Sequence, residues 1–582
     1  MKQRLEEELN KAIDGYCAQQ NIEPGTGYRA EVERSKDTAH GDFATNAAMV
    51  LAKQHGMKPR DLAQEIIQRI PLGDLVEKVE IAGPGFINFF LTQSAYRESI
   101  SEILHSAENY GRLDFGSGKK LLIEFISANP TGPLHIGHGR GAAYGAALCN
   151  LLEAAGFDVT REYYVNDAGR QMDILTLSIW LRYLALCGLG FPFPENAYQG
   201  DYIKQIAENL HSKEGSGFAV SPDTAGELSS NDFDQERELD RLINFAKEHL
   251  GEKNYSVIFN LGLTQILDDI KNDLEEFGVH IDNWFSELSL IKNNYVEQCI
   301  EKLQSGGHLY QKDNAKWFRS TGYGDEKDRV VIRENGQSTY FASDIAYHMN
   351  KFDRGFDTAI NIWGADHHGY ISRVKGSLQA LGLDPEDLHI LLVQFAVLYR
   401  DKTKVSMSTR SGEYVTLKQL IDEIGKDAAR YFYVTRKSEQ HLDFDLDLAK
   451  SESNENPVYY IQYAHARICS VLRQMQERGY TYDQDIALAN LSLLKEEHES
   501  RLIKTLSRFP EVILTAARNY EPHLIAFYLR DIATDFHAYY NSHQFLVEDA
   551  GLRQSRIGLV LATRQVLQNG LSILGVSAPE EM

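Results

Sequence analysis

Residues 121–127 read Leu-Leu-Ile-Glu-Phe-Ile-Ser, and directly after them comes Ala128-Asn129-Pro130-Thr131-Gly132-Pro133-Leu134-His135-Ile136-Gly137-His138-Gly139-Arg140. The apolar run Leu121–Ile126 has the length of a buried strand. Pro130 and Pro133 end it, because neither can donate to a sheet ladder and each restricts the residue before it. The small-residue run from Gly141 to Leu152 then predicts a helix. A strand that turns into a helix this way leaves N-terminal amides unpaired and pointing into the turn, which makes an anion site. Gly137 and Gly139 let backbone approach a ligand closely. His135 and His138, three residues apart, fall on one face of the opening turn and can donate to phosphate oxygens.

Strand-like runs continue outward from this stretch. Between about 119 and 445 the runs Leu121–Ile126, Val159–Val165, Ala359–Trp363 and His389–Leu398 alternate with helical segments, a pattern that favours a parallel doubly wound sheet with ligands at the carboxyl ends of its strands. Upstream, the predicted helices Leu5–Tyr16, Phe43–His55 and Lys58–Arg69 accompany one apolar strand, Gly85–Leu91, as in a small α/β domain over 1–108. The turn-rich Asn109–Gly118 is the linker into a middle domain, 109–445, which carries an inserted segment around 187–285. Residues 212–240 are polar and acidic and read as a mobile surface insertion between helices. From 446 to 582 the apolar spacing is helical in Val458–Met475, Leu491–Leu514, Ile525–Tyr540 and Ile557–Leu574, which predicts an all-α bundle.

At 582 residues the chain can bury a core in each of three or four domains. Its five cysteines, Cys17, Cys149, Cys187, Cys299 and Cys469, are scattered and form no C-x-x-C pair, so neither a disulfide framework nor a zinc knuckle is expected. No run approaches a membrane span, and the charged amphipathic N-terminus has no signal-peptide core. A net charge of −23 argues against a nonspecific polyanion binder; any RNA contact must rest on local basic surface and a few base contacts.

The phrase from Glu124 to Arg140, Glu-Phe-Ile-Ser-Ala-Asn-Pro-Thr-Gly-Pro-Leu-His-Ile-Gly-His-Gly-Arg, contains the HIGH signature of class I aminoacyl-tRNA synthetases and closely resembles the arginyl-tRNA synthetases, a resemblance that extends over nearly the whole chain. It implies an α/β fold: a Rossmann-type parallel-sheet catalytic domain with insertions, a small tRNA-contacting N-terminal domain and a helical anticodon-binding domain. It also implies activation of L-arginine by ATP, with Mg²⁺ arriving on ATP and no permanently bound metal, then transfer to the terminal ribose of tRNA(Arg). A monomer is expected on the same ground, and the unpaired cysteines and lack of an apolar span point to a cytoplasmic protein with no membrane association. Charge builds on phosphate during the attack, so His135 and His138 have an evident task and no covalent nucleophile is required.

The family's second signature loop, KMSK, is matched by Lys404-Val-Ser-Met407-Ser408-Thr-Arg410, with Ser406 and Thr409 where two lysines would stand. A pyrophosphate clamp needs cations, and Lys404 and Arg410 are its candidates, with Lys402, Lys119 and Lys120 further away; Met407 and Ser408 are expected beside ATP. A guanidinium offers five donors and accepts nothing, so an arginine pocket needs carboxylates and oxygens. The resemblance assigns Glu124, Ser127 and Asn129 to the substrate's amino-acid moiety and the helical pair Tyr340 and Asp344 to its guanidinium. In Gly364-Ala-Asp366-His-His368-Gly369, at another strand end, Asp366 and His368 are expected to line the arginine and adenosine pocket. Consecutive residues of this kind cannot all converge on a metal. Phe86 and Asn88 match the family's D-loop contact, and Tyr459, Tyr463 and Arg467 recur at helical spacing as anticodon candidates.

Two other classes share part of this pattern. A small-molecule adenylating ligase of the same nucleotidyltransferase fold would not need the terminal helices, and a noncatalytic RNA-binding paralogue would explain the altered KMSK loop but not intact His135, His138, Tyr340 and Asp344.

Overall fold

The computed structural model describes residues 1–20, 29–35, 37–190, 193–221, 235–405 and 415–582. At its centre lies a wholly parallel five-stranded sheet: β1 Lys120–Glu124, β2 Asp158–Val165, β3 Asn283–Ser286, β4 Thr358–Gly364 and β5 Leu388–Val393, in spatial order β5-β4-β1-β2-β3. The chain enters in the middle, winds one way to β3 and returns to the other side. The order therefore reverses between β1 and β4, which opens a crevice at their carboxyl ends. Leu121, Leu122 and Ile123 are all buried, as a parallel strand covered on both faces requires.

Helix α1, Ile136–Ala154, follows β1 and starts five residues before the small-residue run that predicted it. Its small residues have a packing cause: a Cβ on Gly145 would lie 2.3 Å from the Phe125 ring. Between β2 and β3 the chain forms helices Arg170–Leu186, Asp201–Glu214 and Gln235–Glu276, the last kinked at Gly251 with φ 66°. Residues 212–240, expected as a surface insertion between helices, overlap the end of one helix and the start of the next, while residues 222–234 lie outside the described residues. Between β3 and β4 stands a small antiparallel sheet, Leu309–Lys312, Ala315–Phe318 and Arg329–Ile332, ahead of helix α2, Tyr340–Asp353.

The N-terminal part is a four-stranded antiparallel sheet, Glu33–Arg34, Phe43–Thr45, Phe86–Leu91 and Val76–Ala82 in that order, packed with four helices. Phe43–Thr45, expected to open a helix, is a strand instead: Phe43 and Thr45 point inward with Ala44 between them, and the helix starts at Ala47. The run His389–Leu398 likewise divides, β5 ending at Val393 and Ala396–Arg400 joining a separate sheet with Thr403–Lys404 and Leu442–Asp445. In the C-terminal part, Leu491–Leu514 breaks into a short turn and two helices, Glu497–Leu506 and Phe509–Asn519, with Pro510 in the first turn of the second.

Arginine side chains tie the parts together. The Arg34 guanidinium donates to both Glu511 oxygens, at 3.1 and 2.9 Å, across the N- and C-terminal parts. Arg430 donates to the carbonyls of Phe277, Gly278 and Leu574, where two long helices end and their last carbonyls lack partners. All five cysteines are free, and no described helix is long and apolar enough to cross a membrane.

Candidate active site

The turn after β1 sets two histidines at the mouth of the crevice. His135 is the N-cap of α1, and its Nδ1 accepts from the Gly137 amide at 3.0 Å. His138 Nδ1 accepts from the His135 amide at 3.2 Å, which completes a reciprocal capping box. The two rings stack with centroids 3.7 Å apart. Burial lowers both pKa values, His138 to about 3 with its neighbour adding to the effect, so the rings are neutral at physiological pH. A neutral ring whose Nδ1 accepts carries its proton on Nε2. The caps therefore occupy both Nδ1 atoms and leave each ring an Nε2–H donor.

These histidines line a cavity of about 510 Å³ formed where three strands end. The segment after β1 supplies Ser127, Asn129, His135, Gly137 and His138; the end of β4 supplies Gly364, Asp366 and His367; the end of β5 supplies Gln394 and Phe395. Gly137 sits close under His135, whereas Gly139 faces inward, where a Cβ would meet the Tyr433 ring at 2.9 Å. Of the expected Asp366 and His368, Asp366 lines the cavity; His368 is exposed elsewhere on the turn, and its neighbour His367 takes the place facing in. The half-exposed Phe395, inside the run His389–Leu398 that the sequence presents as one strand, presents an apolar ring beside Gly137. Among the described residues no group of three His, Cys, Asp or Glu side chains could hold a metal ion.

Beside the cavity lies a nest of carboxylates. Asp344, on α2, accepts from the Tyr370 hydroxyl and is pushed up to about 6, chiefly by burial and also by Glu124. Glu287, at the start of the short helix after β3, is buried and pushed up to about 7 by burial, then by Asp344 and Asp167. Sequence reasoning missed Glu287, an isolated acid in an otherwise ordinary segment. The Asn166 amide spans the gap: one terminal atom is 3.1 Å from Asn129 Oδ1 and the other 2.7 Å from Glu287 Oε2. Tyr340, at the first turn of α2, is exposed, and its hydroxyl lies against Gly169. Glu124 lies beneath, accepting from Ser127 Oγ at 3.0 Å and from the wholly buried Lys351 at 2.6 Å. Ile126 and Ser127 hold positive φ values of 72° and 41°, which lets Ser127 fold back onto the strand it has just left. Carboxylates whose charge burial disfavours form a pocket suited to a cation that brings its own donors.

The remaining expected residues lie elsewhere. Phe86 and Asn88 share the face of one strand and line an 870 Å³ cavity in the N-terminal part, Phe86 exposed and Asn88 buried. Tyr459, Tyr463 and Arg467 form one half-exposed row on the helix Pro457–Glu477: the tyrosine rings stack at 6.0 Å, and the Arg467 guanidinium lies 4.4 Å from the Tyr463 centroid and 4.7 Å from that of Tyr540. Gln462 and His465 turn inward instead and bond Asp427, Ser577 and Pro579. Lys404 is exposed on the two-residue strand paired with Tyr399 and Arg400. Met407, Ser408 and Arg410 lie outside the described residues. Lys119 and Lys120 stand at the amino end of β1, roughly 13 Å of strand away from Glu124.

Three family models match the chain: the arginyl tRNA synthetase N terminal domain over residues 1–91, the tRNA synthetases class I (R) catalytic domain over 99–183 and 229–445, and the DALR anticodon binding domain over 461–582. The chain is 58% identical to the arginine–tRNA ligase of Thioalkalivibrio sulfidiphilus and 55% identical to that of Hydrogenovibrio crunogenus, each alignment covering 100% of both chains. Its fold is similar to that of the Thermus thermophilus arginyl-tRNA synthetase, with a TM-score of 0.75 over 100% of both chains at 22% identity.

Proposed function

Because this chain belongs to the arginyl-tRNA synthetase family and is an arginine–tRNA ligase, we propose that the cavity at the ends of β1, β4 and β5 is where arginine is activated, with the following division of labour. ATP enters with Mg²⁺ on its phosphates as the substrate, and the Nε2–H groups of His135 and His138 donate to phosphate oxygens. Phe395 offers a face for the adenine, with Gly137 keeping the backbone clear and Asp366 and His367 on the adenosine side. Tyr340, Asp344 and Glu287 take the guanidinium. Glu124, Ser127 and Asn129 hold the amino-acid end.

In this arrangement the arginine carboxylate attacks the α-phosphorus. The new P–O bond forms as the bond to the bridging oxygen breaks, and pyrophosphate leaves with the electron pair. The 2′-hydroxyl of the terminal adenosine of tRNA(Arg) then attacks the activated carbonyl, the acyl–oxygen bond to the phosphate breaks, and AMP leaves with the electron pair, its phosphate taking the hydroxyl proton. No protein group is alkylated or acylated, so the chain's task is positioning and donation to developing negative charge. Lys404 and Arg410 are the cations for the leaving pyrophosphate, with Met407 and Ser408 beside ATP. Phe86 and Asn88 offer a ring and an amide to a splayed base, and Tyr459, Tyr463 and Arg467 a stacking row for the anticodon. We read the enzyme as a cytoplasmic monomer.

The observation that carries this reading is a cavity lined by two capped histidines at a helix N-terminus, beside which lie the carboxylates Asp344 and Glu287, whose charge burial disfavours: an anion site beside a cation site. Arginine-dependent ATP–pyrophosphate exchange, run with and without tRNA(Arg), tests it. Exchange with arginine and tRNA present, but little without tRNA, is expected. Exchange driven equally by lysine or glutamine contradicts the pocket assignment.

A further inference from the structure

The first turns of α1 carry a cation that the chemistry above does not use. Arg140 is wholly buried two residues after His138, and burial lowers its pKa to about 10, which leaves it charged at physiological pH. Its Nη1 donates to the carbonyls of Gln394 and Gln440, each at 2.7 Å, and its Nη2 to the carbonyl of Lys437 at 2.8 Å. Among the described residues no carboxylate bonds to it, and its Nε has no hydrogen-bond partner.

Burying a guanidinium without a counter-ion disfavours folding, so charge alone does not account for it. Its fork does, because the planar group aims donors in fixed directions. The three carbonyls belong to the two segments that lead into the second sheet. The parallel strands Ala396–Arg400 and Leu442–Asp445 begin at the pair Ala396 and Leu442, and Gln394 and Gln440 each stand two residues before it. One nitrogen of Arg140 thus ties both strands at their start. The Gln394 amide is committed as well, donating to the Ser438 carbonyl at 2.9 Å. Gln394 and Phe395 lie between β5 and this sheet and belong to neither, so these bonds are what fix the span. Gln394 lines the cavity, and a Cβ on Gly137 would lie 3.5 Å from the Phe395 ring. Tyr433 grips the same end of α1, its hydroxyl donating to the Ile136 carbonyl at 2.9 Å. The stacked histidines and the Phe395 ring therefore stand on two elements joined through one buried side chain.

We propose that Arg140 is a positioning residue for ATP: its fork locks the span Gln394–Phe395 to the helix that carries His135 and His138, and so sets the separation between the adenine-facing ring and the phosphate donors. This rests on the reading that Phe395 offers its face to the adenine.

The test is a double-mutant cycle in arginine-dependent pyrophosphate exchange with tRNA(Arg) present. Arg140→Lys keeps the charge and loses the fork; it should raise the ATP KM at least about tenfold while the arginine KM stays within about threefold. Phe395→Ala should raise the ATP KM by itself, and in that background Arg140→Lys should change it by less than about threefold, because the ring through which Arg140 acts is gone. Equal rises for ATP and arginine, an unchanged ATP KM in folded Arg140→Lys, or the full tenfold effect persisting without the ring overturn the proposal. Should Arg140→Lys fail to fold, Arg140→Gln, whose amide can still donate, is read by the same criteria, and failure of both to fold makes Arg140 a folding residue and overturns the proposal too. Phe395→Ala separates the two layers: an unchanged ATP KM there removes the underlying reading, whereas a rise there without one in Arg140→Lys removes this proposal alone.

Discussion

Asp344→Asn is the perturbation whose size the structure sets most tightly. The substitution keeps the side-chain shape, and Asn Oδ1 can still accept from the Tyr370 hydroxyl, so α2 and its neighbours should stay in place. What is lost is one carboxylate facing the guanidinium in a buried site. A charge-assisted hydrogen bond contributes about 1.5 to 3 kcal/mol, and about 1.4 kcal/mol corresponds to a factor of ten, so the arginine KM should rise roughly ten- to a hundredfold. The KM for ATP should move by less than about threefold, because the Nε2–H donors stand on a different element. Exchange kinetics with each substrate varied at saturation of the other supply both numbers. The pH dependence adds an internal check. Asp344 is pushed up to about 6, so below that pH the parent's own carboxyl is neutral and the gap between parent and variant should narrow. An arginine KM unchanged in the variant, or equal rises for arginine and ATP, refutes the placement of Asp344 at the guanidinium.

Three further outcomes follow from the same geometry. His138→Asn puts an oxygen where Nδ1 accepts and loses the Nε2–H, whereas His138→Gln places an amide donor nearer Nε2; the first should keep thermal stability and lose activation, the second should keep more activation at some cost in stability, and the reverse order contradicts the assigned roles. Asp344 and Glu287 have folded pKa values raised above their ordinary ones, so the stability present at low pH is lost as pH rises through about 6 and 7, and saturating arginine should raise Tm more at pH 7.5 than at pH 5.5; an equal or smaller rise at pH 7.5 speaks against ionised acceptors. Arg410→Ala or Lys404→Ala should slow activation at least about tenfold, some 1.4 kcal/mol of barrier, with little change in arginine affinity, and the absence of such slowing in both makes these cations bystanders.

What the sequence made legible was local and periodic. The run from Leu121 to Arg140 declares a strand, a break and a helix in consecutive residues, and the order of the strands after it is enough to place their carboxyl ends in one crevice. The row Tyr459, Tyr463 and Arg467 was readable for the same reason, since helical spacing brings residues four apart together. Residues brought in by long-range register were not legible. Glu287 sits just after a four-residue edge strand, and Lys351 reads as one more lysine near the end of a helix until β1 and β4 pair and place Glu124 and Asn361 against it. Phe395 was read as the interior of a single strand; only the divergence of the chain after Val393 into a second sheet turns its ring outward. The antiparallel insertion escaped because four-residue strands with half-polar faces carry too little alternation to be told from loop.

The central claim is tested most directly by charging. Purified enzyme, ATP, Mg²⁺ and unfractionated tRNA should attach labelled arginine to the arginine isoacceptors and to no other tRNA family to a comparable extent, through an ester at the 2′-hydroxyl of the terminal adenosine. Better charging of another tRNA family, or preferential use of another amino acid on tRNA(Arg), contradicts it.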